Sequence, residues 1–163
     1  MPTEASAAID LRNVISEMIT DAAKTYSSDL NWIPEDKFHA VPMGSGRSPA
    51  DFTAECIGFN RMVARIIKDE KVHFPTDEEH EAFVRSFDTI GKAKNEILES
   101  ARDLVDALKL IAPDDLWAEV TPPWGQPVAT YKMASLAASH MSYHDGQVNY
   151  IQTLYGDVRM HWE

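Results

Sequence analysis

His140 and His144 stand four residues apart in the stretch Ser139-His140-Met141-Ser142-Tyr143-His144-Asp145-Gly146-Gln147. In a helix that spacing stacks two imidazoles on one face, one turn above the other. The same stripe carries Met133, Ala137, Val148, Ile151 and Tyr155. The pair therefore belongs to an apolar face and needs partners there. A divalent metal ion is one partner that takes two imidazoles at this spacing. Glu55 falls in or beside a second apolar stripe, made of Phe52, Cys56, Phe59, Val63 and Ile66. A buried carboxylate without a partner is strongly disfavoured. Two imidazoles and one carboxylate around an ion would satisfy all three groups, with positions left for water and substrate. The expected ligands are Glu55, His140 and His144. Gln147, three residues after His144, and Asn60, just over one turn after Glu55, are the expected supporting residues. No glutamate follows His140 directly, so the zinc-protease pattern is not met. A simpler alternative is that the histidines bond to backbone or to Glu55 and only fix the fold.

The elements that must position these groups are helical. Apolar spacing predicts a first helix from about Glu4 to Ser28, capped by Thr3 or Ser6, with Ile9, Val14, Ile15, Met18, Ile19, Ala22 and Tyr26 on its stripe. Ser48-Pro49 opens a second helix running to about Lys68, with serine as cap and proline at the first position. Thr76 or Asp77 starts a long third pattern with Phe83, Phe87, Ile90, Ile97, Leu104, Leu108 and Ile111 inward. It bends near Gly91 and ends at Pro113. The last helix spans about Ala129 to Leu154, closed by Gly156. No strand-like alternation of useful length is present. The expected fold is all-α, a four-helix bundle in one domain over residues 1–163, with two long connections. The link from Asp69 to Thr76 is too short to cross back over a helix. Either the second and third helices are antiparallel, or the start of the third pattern is itself the crossover. Trp32, Trp117 and Trp124 in the connections are expected to form an apolar mouth for a small-molecule substrate.

Bulk properties limit the partners. Hydrophobic residues make up 44% and charged residues 25%, as in a globular protein. A net charge of −11 argues against nucleic acid and anionic membranes. The single cysteine, Cys56, allows no intrachain disulfide, which fits the cytoplasm. It reads as a small buried group and not as a nucleophile. No signal peptide or membrane-spanning stretch is expected.

The run His140-Met141-Ser142-Tyr143-His144-Asp145-Gly146-Gln147 resembles the His-x-x-x-His-x-Gly-Gln signature of the DinB/YfiT-like metalloenzyme superfamily. The second helix is similar too: a Ser-Pro start, then Glu55-Cys56-Ile57-Gly58-Phe59-Asn60, where that family usually has a histidine five residues before the asparagine. The resemblance implies an up-down-down-up bundle, often a homodimer, holding a divalent metal through one histidine on the second helix and two on the fourth. It also implies a thiol-dependent transferase or isomerase that uses a low-molecular-weight thiol such as bacillithiol or mycothiol. Here Glu55 stands in the first histidine's place. That exchange is tolerable for zinc, nickel or iron and lowers the site's charge by one. A metal-dependent hydrolase and a non-catalytic dimeric binding bundle are the alternatives.

Overall fold

The structure, a computed structural model, describes residues 9–161. Glu4 and the proposed caps Thr3 and Ser6 lie outside the described residues. Among these residues five α-helices follow in order: α1 (Leu11–Asp29), α2 (Pro49–Ile67), α3 (Asp77–Arg85), α4 (Ile90–Leu110) and α5 (Thr130–Leu154). Two two-residue strands, β1 (Glu119–Val120) and β2 (Val128–Ala129), pair antiparallel before α5. They are too short to show an alternating pattern.

The second helix starts where the serine-proline signal puts it. Ser48 Oγ accepts from the Asp51 N–H at 3.2 Å, and Asp51 Oδ2 accepts from the Ser48 N–H at 2.9 Å. This capping box satisfies two helix-end donors and fixes the frame in which Glu55 projects. Ser48→Ala is expected to lower stability by about 1 kcal/mol, read as a shifted urea midpoint at constant slope. Thr76 caps α3 in the same way.

The long third pattern is two helices. The chain breaks between Ser86 and Thr89, and Thr89 caps α4 through a bond from the Lys92 N–H. The short α3 packs on α2 and serves as the crossover, so the turn comes before Gly91 and not at it. Phe87 and Ile90 are both buried across the break, which is why apolar spacing ran through it unbroken.

α1 and α2 each pack on both α4 and α5 and face each other across the bundle. Contacts at the ends set the directions. Arg12, at the start of α1, donates to the Ile111 carbonyl just past the end of α4 at 2.6 Å. The segment Glu35–Phe38 ties the starts of α2 and α4 together, through Ala50 N–H to Phe38 O at 3.0 Å and Ile90 N–H to Glu35 at 2.9 Å. Asn149, late in α5, reaches Asp29 at the end of α1 at 2.7 Å. α1 and α5 thus run one way, and α2 and α4 the other.

The core is built from Ile15, Ile19, Tyr26, Ile57, Ile97, Leu104, Leu108 and Met133, among others. The first helix is turned slightly from the expected stripe. Ile15, Ile19 and Tyr26 are buried, while Ile9, Val14 and Met18 are exposed. Tyr143 and Tyr150 on the last helix are also exposed. No helix among the described residues is long and apolar enough to cross a membrane.

Candidate metal centre

α2 and α5 cross so that Phe52 meets His144 and Asn60 meets Met141. Between those contacts the structure brings Glu55, His140 and His144 together. Glu55 Oε1 lies 3.2 Å from His140 Nε2 and 3.3 Å from His144 Nε2, and the two imidazole nitrogens are 3.2 Å apart. The three atoms form a nearly equilateral triangle. The His144 side chain is 2% exposed, His140 19% and Glu55 37%, so the triangle is sealed behind His144 and open beside Glu55.

The supporting contacts constrain protonation. His144 Nδ1 donates to Gln147 Oε1 at 2.6 Å. Its Nε2 faces the Glu55 carboxylate. Gln147 and Glu55 are acceptors, while His140 Nε2 at 3.2 Å can donate, so Nε2 of this ring is satisfied through His140 or by a cation beside it. His140 Nδ1 is buried with no hydrogen-bond partner among the described residues. Bonds from His140, then His144, hold the Glu55 carboxyl far below the usual carboxylate range, and Arg47 adds to this. Arg47 pairs with the outer oxygen of Glu55 and lays its guanidinium over the Phe52 ring at 4.7 Å. The donor chemistry therefore fits a divalent cation: an ionised carboxylate and two imidazole nitrogens converge on one point.

Cys56 is buried, in keeping with its place on the apolar stripe, and it also comes close to the imidazoles. Its Sγ and one nitrogen of each imidazole lie within 4.8 Å of one another, so Cys56, His140 and His144 are also a possible metal-holding group. Burial, then the Glu55 and Asp145 charges, pushes its thiol well above the usual range, so the sulfur is protonated when no cation is near. Glu55 and Cys56 are neighbours on α2, and both come close to the imidazole pair. The sequence signal for this was the position of Cys56 on the buried stripe.

Asn60, expected to support the ligands, points elsewhere. It is fully buried and donates to Ser100 Oγ at 3.1 Å and to Met141 Sδ at 3.4 Å, tying α2 to α4 and α5. Gln147 reaches the His144 ring through its amide oxygen. Phe59 lies against the His140 ring at 4.6 Å and stacks with Trp124 at 6.5 Å, making an apolar collar. Trp117 packs on Tyr131. Trp32 turns away to stack on His161 at 3.6 Å and is not part of the mouth. His161 is largely covered there, and His39 bonds the Phe87 carbonyl at 2.7 Å.

Asp145, next to His144, is buried beside Asp29. Burial first, then the Asp29 charge, pushes its carboxyl up to about 7. A carboxyl whose value rises on folding is easier to keep protonated in the fold, so its contribution is present at low pH and lost as pH rises toward the folded value. Glu55 has the opposite shift, and its contribution is constant above its unfolded value. In metal-free protein the urea midpoint is therefore expected to fall from pH 5 to pH 7, and Asp145→Asn should flatten that slope.

The fold and the site together define a class: a four-helix bundle with a histidine-carboxylate centre between its second and last long helices. No family sequence model matches the chain, and no curated protein sequence does. Solved structures do match it. Mycothiol-dependent maleylpyruvate isomerase superposes with a TM-score of 0.62 at 13% identity, and a mutant of that enzyme with 0.65 at 14%. The alignment covers 84% of this chain and 60% of the isomerase, so the chain spans less than two thirds of that enzyme's length. A protein from Streptococcus pneumoniae gives 0.70 at 14% identity, covering 88% of this chain and 91% of that one. The colibactin self-resistance protein ClbS, in complex with double-stranded DNA, gives 0.66 at 16%, covering 87% and 95%. The particular fold is thus the DinB-like helical bundle.

Proposed function

We propose that the protein is a divalent-metal-dependent enzyme in which Glu55, His140 and His144 hold the ion, and that it transfers or isomerises a small electrophile with the help of a low-molecular-weight thiol. One observation carries the metal assignment. A tetrahedral ion with bonds of ~2.0–2.1 Å holds neighbouring ligand atoms roughly 3.3–3.4 Å apart, and an octahedral one roughly 2.9 Å. The Glu55–His140–His144 triangle has edges of 3.2–3.3 Å. That spacing admits a tetrahedral ion such as zinc.

An ion held there supplies Lewis acidity, lowering the pKa of a thiol or water that reaches it. The chain does the rest. Gln147 fixes the His144 ring so that Nε2 faces the centre. Arg47 pins the outer oxygen of Glu55, leaving the inner one to the ligand triangle. Phe52, Phe59 and Trp124 exclude water from the imidazole side. The open flank beside Glu55 and His140 is where substrate would enter. The thiol is suggested by the mycothiol-dependent neighbour; the residues alone do not choose it over water. A reducing compartment and a homodimer belong to the same reading.

The proximity of Cys56 favours one second reading, in which Cys56, Glu55, His140 and His144 close a four-ligand structural site. The test is the rate of mycothiol consumption with a small unsaturated electrophile, comparing zinc-loaded protein with His144→Ala. A metal-dependent rate lost in the variant supports the enzyme. A stoichiometric metal with no rate above the metal-free control, for thiol or for ester hydrolysis, supports the structural site.

A further inference from the structure

Arg47 is a cation at the open flank of the centre, and its backbone is held on both sides. Just before it, the Gly46 N–H closes a turn onto the Met43 carbonyl at 3.0 Å. A Cβ at Gly46 would stand 3.0 Å from that carbonyl oxygen, so the turn is tight. Just after it, Ser48 caps α2. The guanidinium then lies over the Phe52 ring, its carbon 4.7 Å from the ring centre, and Nη1 donates to the outer oxygen of Glu55. A guanidinium carries five N–H donors in a planar fork. Among the described residues Nη1 alone has a hydrogen-bond partner, and the side chain is 47% exposed. The rest of the fork is therefore oriented, charged and open to solvent. We propose that Arg47 is a specificity-determining residue: the open flank takes a small molecule that carries a carboxylate or a phosphate, and the free edge of the guanidinium holds that oxyanion.

The proposal rests on the reading of this centre as a metal site that binds a small molecule, and it adds the class of that molecule. The Glu55 carboxylate separates the guanidinium from the ligand triangle. Its inner oxygen faces both imidazoles and its outer oxygen faces Arg47. A molecule whose reacting atom reaches the triangle can therefore lay an oxyanion, a few atoms away, on the fork. With a divalent ion in place, the positive charge of the ion and Arg47 exceeds the negative charge of Glu55. The flank is then cationic on a chain whose net charge is −11, so an anion is drawn there and repelled elsewhere. A surface ion pair kept for stability accounts for less, because an exposed pair adds little and a lysine would serve it as well. What arginine adds is the planar set of donors that carboxylates and phosphates accept in pairs.

The test titrates cobalt(II)-loaded protein with 3-mercaptopropionate and with its methyl ester, reading the charge-transfer band that the added thiol brings. The acid is expected to bind about tenfold or more tightly than the ester, since charge-assisted bonds are the strong ones. Arg47→Gln should bring that ratio close to one, and Arg47→Lys, a point charge without the fork, should keep part of it. The ratio is taken within each protein, so a change in cobalt affinity cancels. Equal affinity for acid and ester in the wild type overturns the proposal. So does an undiminished ratio in Arg47→Gln, the result expected if the carboxylate binds the cobalt itself. If the protein takes up no cobalt, or takes it up and binds neither thiol, the metal reading fails on its own. The fork is then judged in metal-free protein from the Nε–Hε resonance of Arg47. Saturable shifts with propionate or methyl phosphate, and none with propionamide, support the oxyanion site, and the tighter of the two anions names the group. No shift with either anion, or equal shifts with propionamide, overturns it.

Discussion

Glu55→Gln is expected to empty the metal centre, whereas Cys56→Ser leaves it filled. Glutamine keeps the size of the side chain but removes the charge that faces both imidazoles. Losing a supporting residue typically costs ~10–100-fold in metal affinity, and loss of a direct carboxylate ligand should exceed that. Cobalt(II) reconstitution reads both variants at once. With Glu55 as ligand, the wild type shows tetrahedral cobalt bands and no thiolate-to-cobalt charge transfer, and Cys56→Ser gives the same spectrum. A charge-transfer band that vanishes in Cys56→Ser would move the third ligand from oxygen to sulfur. The physical case for oxygen is access and charge. Glu55 is ionised and half-open, and its inner oxygen already touches both nitrogens. The Cys56 thiol is fully buried and must lose a proton before it can bind.

How far the sequence could be read depended on whether a signal was local. Ser48-Pro49, Thr76 and Gly156 mark helix ends with their own chemistry, and the structure puts the ends of α2, α3 and α5 there. Gly156 has φ of +95°, the left-handed conformation that a glycine cap supplies. The break before α4 was missed because Phe87 and Ile90 both stay buried across it, although Thr89 was available as a cap. The two imidazoles were legible because one helix carries both. Glu55 was legible as a carboxylate bordering an apolar stripe. Asp145 was not, because its partner Asp29 comes from α1 and no local pattern connects them. Trp32 shows the same limit. A tryptophan in a long connection must pack on something, and only the fold shows that His161 is the surface it covers.

Gln147→Ala should weaken metal binding by roughly 10–100-fold without removing a ligand. The amide oxygen accepts the Nδ1–H of His144 at 2.6 Å, which fixes the tautomer that leaves Nε2 facing the centre. It also holds the ring flat against Phe52, 5.1 Å away. Alanine frees the ring to carry its proton on either nitrogen, and the tautomer with Nε2–H must be reversed before an ion can bind. Gln147→Glu separates orientation from packing. A carboxylate at this position accepts the same bond more strongly and makes Nε2 more basic, so affinity should return to the wild-type level or above it. Competition against a chelator of known strength, with ¹⁵N chemical shifts of His144 as the tautomer readout, checks both parts. Wild-type affinity in Gln147→Ala would mean that Phe52 and the bundle wall alone orient the ring.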